Sequence, residues 1–315
     1  ILWPLLFLIY INDMSNAITS DLYLYADDSC ILVQHKSIKA INEKLNTDFS
    51  NLCDWFVDNK LSIHFGEDKT KCILFASKNK IKKVEKLDIS YNDIIIKQFS
   101  SLSYLGVILD ATMSGEIMAI EIIKKINTRI KFLYRKDSFL NSHLRRLLCN
   151  ALIQPHFDYV CSAWFPNLKQ SLKHKLQASQ NKCIKFCLKL GNRTRLTFSD
   201  FKEINWLPVT SRVFQCILAH IFKYFSGKAP SYVDELFFPK AQSNVLTRQG
   251  VLKLHQPSRK TNYGKNTISF LGPKLWNTIP DCIKQSQSLN CFKHKIKDHF
   301  FLQLEKEEND LFIFY

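Results

Sequence analysis

The sequence predicts an α+β protein, in which antiparallel strands and helices occupy the first third of the chain and helices occupy most of the remainder. Two observations support this class. Up to residue 110, short apolar runs bounded by polar turns alternate with segments of helical spacing, whereas from residue 111 apolar residues recur every three or four positions. The chain has 315 residues, 46% of them hydrophobic, so it can bury a sizeable core.

Helical spacing is found twice in the first 110 residues. The apolar run that opens the chain predicts a helix at 4–14, with Pro4 in its first turn. This run is too short to cross a bilayer, and we predict that the helix is buried in the core. Apolar residues also recur at a spacing of three to four over 37–58, which predicts an amphipathic helix with Ser37 as its N-cap.

Strand patterns lie between and after these helices. Leu22–Ala26 and Cys30–Val33 are apolar runs on either side of Asp27-Asp28-Ser29, which is the pattern of a β-hairpin with acidic residues at its turn. Residues 1–110 are therefore predicted to form an α+β unit with several antiparallel strands. Further strands are predicted at 70–76, 93–98 and 103–109.

The rest of the chain is predicted to be mainly helical, because its apolar residues keep the helical spacing. Residues 226–275 are the exception, since they are rich in turn-forming residues. Helices are predicted at 117–134, 141–154, 172–190, 209–225 and 290–304.

Positive charge is concentrated in this helical part. The chain has a net charge of +16, yet residues 1–110 hold 12 Lys and Arg against 14 Asp and Glu, whereas residues 111–315 hold 32 against 14. A polyanion is the natural partner of such a surface, and nucleic acid is the commonest polyanion. A lysine-rich surface that only confers solubility is the alternative.

The cysteines and the apolar runs exclude other classes of protein. Ten cysteines are scattered without the paired spacing of a zinc site, and no CxxC occurs. We interpret them as reduced thiols of an intracellular protein. No apolar stretch reaches the length of a transmembrane helix, so no membrane partner is expected.

Asp27 and Asp28 are the residues with the clearest chemistry. At a hairpin turn both carboxylates can reach a common site, and a divalent cation offsets their mutual repulsion. Mg²⁺ is typically held by one or two carboxylates together with substrate phosphates, and such ions assist phosphoryl transfer. The alternative is that both are simply solvent-exposed turn residues, because Asp favours turns.

The segment LYADD (Leu24–Asp28) between apolar strands resembles the YxDD hairpin of reverse transcriptases. Further segments, in the family's order, are similar to parts of the polymerases of non-LTR retrotransposons of the jockey-like group. They are PLLFLIYINDM (Pro4–Met14), NKLSIHFGEDKTKCILF (Asn59–Phe75), SYLGVILD (Ser103–Asp110), ALIQPHFDYVCSAW (Ala151–Trp164) and FLGPKLWNTIPDCIK (Phe270–Lys284).

This resemblance implies a C-terminal part of such a reverse transcriptase, an RNA-directed DNA polymerase. A partial palm would occupy 1–110, a basic helical thumb-like region 111–200, and a mostly helical C-terminal region 201–315. The enzyme would transfer nucleotides from dNTP to a 3′-OH with Mg²⁺ or Mn²⁺ as cofactor. Its partners would be an RNA template and a DNA primer or target, and its location the nucleus.

The resemblance also implies roles near the hairpin. Asp27 would be the principal metal ligand and Asp28 its neighbour at the same site. Tyr25 and Ala26 would lie near the primer end and the incoming nucleotide. Lys69 would protonate the leaving pyrophosphate, although a surface lysine before a strand is the alternative.

Two further sets of residues are implied to bind nucleic acid. Tyr104, Leu105 and Gly106 resemble the primer grip, with a strand bend at Gly106 as the alternative. The thumb-like region would bind the nucleic-acid backbone through Lys124, Lys125, Arg129 and Lys131.

Two features depart from the family. Its palm has a third carboxylate on a strand that would lie upstream of Ile1, and Trp3 stands where the family usually has Gly. Because this chemistry depends on positioning, two carboxylates without the third would hold metals poorly, and we expect the chain alone to be inactive. A non-catalytic nucleic-acid-binding remnant is the alternative function, and a group II intron-type polymerase is a close variant of the first. The sequence leaves the oligomeric state open.

Overall fold

The computed structural model describes residues 2–66, 69–84, 86–237 and 253–307. The chain divides into two compact units, with the boundary between Met113 and Ser114. Strands occur in the first unit and helices make up the second. The prediction of a mixed α+β protein is therefore confirmed, whereas its assignment to a polymerase palm and thumb stays a prediction.

The first unit contains three antiparallel hairpins among its described residues, and each strand pairs with the next one along the chain. Its helices are α1 (Leu2–Tyr10), α2 (Ile38–Asp58) and α3 (Lys78–Ile81). Its strands are β1 (Asp21–Tyr25), β2 (Asp28–Leu32), β3 (Ser90–Tyr91), β4 (Ile94–Ile95), β5 (Ser101–Tyr104) and β6 (Val107–Asp110).

Two apolar clusters hold the first unit together. The first cluster consists of Ile11, Met14, Ile18 and Leu52. The second cluster consists of Leu87, Ile89 and Ile96. Helix α2 contributes to both clusters, because it is 21 residues long and carries an apolar stripe. The stripe packs against the two clusters at different positions along the helix axis. The prediction of an amphipathic helix here, entered at Ser37, is confirmed.

The prediction of a buried helix at 4–14 is wrong. Helix α1 ends at Tyr10 and contains no buried residue. Of its side chains Phe7 packs against the first cluster, whereas Trp3 is 82% exposed. The apolar run thus divides into two parts. Helix α1 lies at the surface of the unit, whereas Ile11, just after the helix, is buried in the core.

The second half of this unit contains less strand than the sequence predicts. Residues 70–76 form no strand, and only Cys72 makes an isolated parallel bridge, to Gln98. The strand predicted at 93–98 shortens to β4. An apolar run without clear alternation indicates burial, and here Cys72 and Leu74 pack against the second cluster without joining a sheet.

The second unit is helical throughout its described residues. Each of the five predicted helices is present, with ends that shift by a few residues, and 209–225 is found as predicted. Within the turn-rich 226–275, residues 238–252 lie outside the described residues. The helices are α4 (Glu116–Arg135), α5 (Ser142–Leu152), α6 (Gln154–Asp158), α7 (Cys161–Trp164), α8 (Gln170–Leu188), α9 (Phe198–Ile204), α10 (Val209–Phe225), α11 (Asn262–Lys265), α12 (Ile268–Trp276), α13 (Asp281–Lys284) and α14 (Leu289–Glu307).

Aromatic rings from three helices form one centre of the second unit. Phe222 of α10 stacks on Phe292 of α14 with ring centroids 4.5 Å apart, and Phe225 of α10 stacks on Trp276 of α12 at 5.0 Å. Trp276 and Phe292 are completely buried. Such rings bury large apolar areas, so they fix how α10, α12 and α14 pack.

The described residues contain no helix that is both long enough and apolar enough to span a membrane. All ten cysteines are free thiols.

Candidate functional site

The first hairpin places the two predicted metal ligands at its tip. β1 and β2 pair in register up to Tyr25 and Asp28, so the reversal consists of Ala26 and Asp27 alone. Ala26 has a φ of 52°, in the left-handed region that two-residue hairpin turns use. Asp27 is thus a turn residue and Asp28 opens β2, which puts the turn one position earlier than the sequence pattern does.

The hairpin is anchored at its base and open at its tip. Leu22 and Ile31 lie opposite each other across the strands and pack against the first cluster. Side chains alternate along a strand, so Tyr25 and Asp28 share the other, open face. Tyr25 is 66% exposed, and Asp27 and Asp28 are exposed as well. Both carboxylates can therefore be reached by a ligand from solvent.

A buried carboxylate of α2 holds the entry to this hairpin. Asp48 is fully buried and accepts hydrogen bonds from the main-chain N–H of Thr19 at 2.9 Å and of Ser20 at 3.1 Å, and from both hydroxyls. Burial raises the pKa of Asp48, but the hydrogen bonds from Ser20 and Thr19 outweigh it, and the pKa lies below its ordinary value. These two residues directly precede β1, so Asp48 fixes where the hairpin starts.

Asp48 is not among the predicted site residues, although the sequence contains a signal for it. Asp48 falls on the apolar stripe of α2, between Leu45 and Leu52 at helical spacing. A carboxylate on a core-facing stripe costs free energy unless it is hydrogen-bonded, so its position indicates buried donors nearby.

The predicted primer-grip residues form a turn and not a single strand. β5 and β6 pair up to Tyr104 and Val107, which leaves Leu105 and Gly106 as the reversal, with φ values of 47° and 76°. Two successive left-handed residues are typical of the type I′ turn that joins short antiparallel strands. The prediction of one strand at 103–109 is wrong, because the apolar run conceals this turn. Gly106 therefore serves a turn and not a strand bend.

The pKa of Tyr104 is shifted from its ordinary value. Burial raises the pKa of the Tyr104 hydroxyl, and the charges of Cys30 and Asp28 raise it further. Cys30 and Asp28 both lie on the open face of the hairpin, because they are two residues apart in β2. The charge effect therefore relates Tyr104 to the hairpin face that also carries Tyr25.

The described contacts do not join Lys69 to the carboxylates. Its side chain is exposed, and its main-chain N–H donates to the carbonyl of Gly66 at 2.9 Å, within a turn. No hydrogen bond or ion pair joins Lys69 to Asp27 or Asp28 in the part of the chain that the structure describes. Its role in protonating pyrophosphate therefore stays a prediction from the resemblance.

The two carboxylates at the hairpin tip are of the type that a hard divalent cation binds. Asp27 and Asp28 supply carboxylate oxygens, which Mg²⁺ prefers. Within the described ranges, no group of three His, Cys, Asp or Glu residues converges in the manner of a complete protein-built metal site. An ion held there would need water and substrate phosphate as its remaining ligands, the usual arrangement for Mg²⁺.

The four predicted backbone-binding cations lie on the solvent side of α4. The first residues of this helix include Glu116, but residues 122–136 contain six Lys and Arg and no Asp or Glu. The buried side consists of Met118, Ala119, Ile122, Ile126, Ile130 and Leu133. The exposed cations, which we call the basic face of α4, are Lys124, Lys125, Arg129, Lys131 and Arg135.

Neighbouring helices flank this face. On one side Lys182 of α8 donates to Asn127 at 3.3 Å, which adds a further cation beside the helix. On the other side Arg129 donates to a main-chain carbonyl at the end of α5. Burial lowers the pKa of His156 in α6, and the positive charges of Arg129 and Lys125 lower it further.

Comparison with known proteins adds no relative. No protein-family model, no characterised protein and no solved structure matches this chain.

Proposed function

We propose that this chain contains the nucleotidyl-transfer site of an RNA-directed DNA polymerase, built around Asp27 and Asp28. One observation carries the proposal: a two-residue turn displays two consecutive carboxylates at the solvent end of an antiparallel hairpin. The order of the motifs that resemble non-LTR reverse transcriptases supports the same function. Exposed turn aspartates alone would be common, so the resemblance decides which chemistry we infer.

The two carboxylates would hold Mg²⁺ or Mn²⁺ through their oxygens. When bound, such ions stabilise the charge that develops on the transferred phosphoryl group and help to activate the attacking 3′-OH. The chain's own contribution is placement. The base of the hairpin is packed on the first cluster and tied to Asp48, so the tip presents both carboxylates from a fixed support.

Two tyrosines would position the substrates in this proposal. Tyr25 lies directly opposite Asp28 on the open face, and its exposed ring offers an apolar surface for a sugar or a base. Tyr104 ends β5 just before the turn at Leu105-Gly106, and the resemblance assigns it to the primer strand. The proposed substrates are a dNTP and a primer end paired with an RNA template.

Primer extension tests this function. A longer version of the protein, which includes the upstream palm strand that the resemblance implies, is incubated with an RNA template, a DNA primer, dNTP and Mn²⁺ or Mg²⁺, and the products are resolved by length. Asp27→Asn is expected to lower the extension rate by on the order of 100-fold or more, because a ligand of the reacting centre is lost. Asp21→Asn is the matched control, since Asp21 is exposed at the opposite end of the same hairpin. Extension by Asp27→Asn at the wild-type rate would refute the proposal.

A second function is favoured by a separate observation. The basic face of α4 concentrates cations on an exposed helix surface without a compensating carboxylate after Glu121. Such a surface binds nucleic-acid phosphates and releases their counterions, with little dependence on sequence. Nucleic-acid binding by this face needs no carboxylate pair, so it can persist in a chain that does not polymerise.

A further inference from the structure

Two phenylalanines of the second unit are exposed, one in the last part of α4 and one in the turn that follows it. Phe132 in the last two turns of α4 is 56% exposed, and Phe139, in the short 3-10 turn Asp137–Phe139 after the helix, is 79% exposed. Neither ring packs against another aromatic ring within the described residues. Single exposed apolar residues are ordinary on protein surfaces, so exposure alone carries no conclusion.

The surroundings of Phe132 set it apart. On a helix the neighbours of a residue are three and four positions away. For Phe132 these include Arg129, Arg135 and Lys136, all of which are exposed. Exposed cations therefore lie next to the Phe132 side chain on the solvent side of α4, opposite to the buried Ile126 and Ile130. An aromatic ring among cations can stack on a planar group while the cations bind negative charge that is attached to the same ligand.

Phe139 is presented by a rigid turn. Arg145 of α5 is only 1% exposed, and its guanidinium donates to the carbonyls of Asp137 and Leu140, each at 3.1 Å. It also forms an ion pair with the Asp137 carboxylate at 2.6 Å. The main chain is thus held on both sides of Phe139 by one buried side chain, while the ring points to solvent. A mobile turn would lose conformational entropy on binding, whereas a turn fixed in advance loses little.

We propose that Phe132 and Phe139 are stacking positions for unpaired bases, so that the basic face of α4 binds single-stranded nucleic acid. This inference rests on the second proposed function and names its ligand. Cations that track the phosphates and aromatic rings that stack on successive bases are the combination used for single strands. In a duplex the base faces are stacked inside the helix, so a protein ring reaches them only after unstacking.

Fluorescence anisotropy with the whole chain tests the inference. The probes are labelled oligouridine and oligothymidine of about 16 nucleotides, and a blunt duplex of the same length. Phe132→Ala and Phe139→Ala are each expected to weaken binding of the single strands by about 5- to 150-fold, the equivalent of one lost stacking contact, and to leave duplex affinity unchanged. Phe132→Trp is expected to keep the affinity, because it keeps a stacking surface.

Two controls separate stacking from charge and from folding. Tyr232→Ala removes an aromatic side chain of similar exposure, 69%, from a different turn of the same unit, and should leave binding unchanged. Arg135→Ala is expected to reduce the salt dependence of binding by about one ion, whereas the phenylalanine variants should keep the wild-type slope. Both phenylalanine variants are expected to keep the circular dichroism spectrum and the melting temperature of the wild type, because the two rings lie in solvent.

Four results would overturn the inference. The first is unchanged single-strand affinity in both alanine variants, and the second is an equal loss on the duplex. The third is displacement of the oligonucleotide by an acidic, aromatic-rich peptide at lower concentration than by unlabelled strand, which would assign the face to a protein partner. The fourth is a wild-type chain that binds no strand at all, which would also remove the second proposed function, while the Asp27 test of the first stays independent.

Discussion

At the scale of single residues, the surroundings of three aspartates decide what each can do. Asp48 is completely buried and its oxygens are occupied by donors from Thr19 and Ser20. Asp27 and Asp28 are exposed at a turn, where they remain open to a ligand. The first carboxylate therefore supports structure and the other two are available for chemistry, although all three lie within the same unit.

The pH dependence of stability tests the role of Asp48. Because its pKa is lowered in the folded chain, its contribution is present above the unfolded pKa of about 4 and is lost as pH falls through the folded pKa. We expect Asp48→Asn to lower the free energy of unfolding at pH 7 by about 2–4 kcal/mol, because buried charge-assisted hydrogen bonds are lost. The variant should also lose less stability than the wild type between about pH 5 and pH 2.

Urea unfolding at a series of pH values measures both effects. Asp58→Asn is the matched control, since Asp58 is exposed in the last turn of the same helix. A wild-type pH profile in the Asp48 variant would contradict the assignment of a buried, hydrogen-bonded carboxylate.

At the scale of elements, helices follow from the sequence far better than strands do. α10 spans the predicted residues because Pro208 fixes its start and the apolar spacing continues over 17 residues to Phe225. β3 and β4 have two residues each, too few to show alternation, and their turn at Asn92-Asp93 is set by two left-handed residues. A short hairpin is decided by turn geometry and packing, which an apolar run such as 103–109 does not reveal.

In the candidate site, too, local features can be predicted from the sequence. Tyr25-Ala26-Asp27-Asp28 is predictable because a local motif and two flanking apolar runs define it. The support from Asp48 depends on hydrogen bonds to residues about 28 positions away in the chain, and no local pattern specifies those contacts.

Salt dependence tests the basic face of α4 as an element. Lys124 and Lys131 lie seven residues apart on one stripe of the helix. We expect the variant with both changed to Ala to bind duplex and single strands more weakly, by a similar factor for every sequence, because two phosphate contacts are lost. The slope of log affinity against log salt should fall by about two.

The control for this element changes as many charges elsewhere. Lys265 and Lys274 are exposed on α11 and α12 of the same unit. If their replacement by Ala reduces the salt slope as much as the α4 variant does, binding follows net charge alone and the basic face of α4 has no special role.

At the scale of the whole molecule, the division of charge and the division of structure nearly coincide. The net charge changes character after residue 110, and the compact units separate between Met113 and Ser114. The carboxylate pair lies in the near-neutral unit and the basic face in the strongly positive one. One chain thus carries a candidate metal site and a candidate nucleic-acid surface on separate units, and each can be tested without the other.

The most direct test of the central claim is metal binding by the hairpin. Metal binding depends on the two carboxylates, and it can be measured whether or not the chain extends a primer. The chain is titrated with Mn²⁺ in the presence of dNTP, and the free ion is measured by electron paramagnetic resonance. We expect Asp27→Asn to weaken Mn²⁺ binding by at least about tenfold, and Asp21→Asn to bind as the wild type does. Superimposable titrations of the wild type and Asp27→Asn would contradict a metal-dependent site at this hairpin.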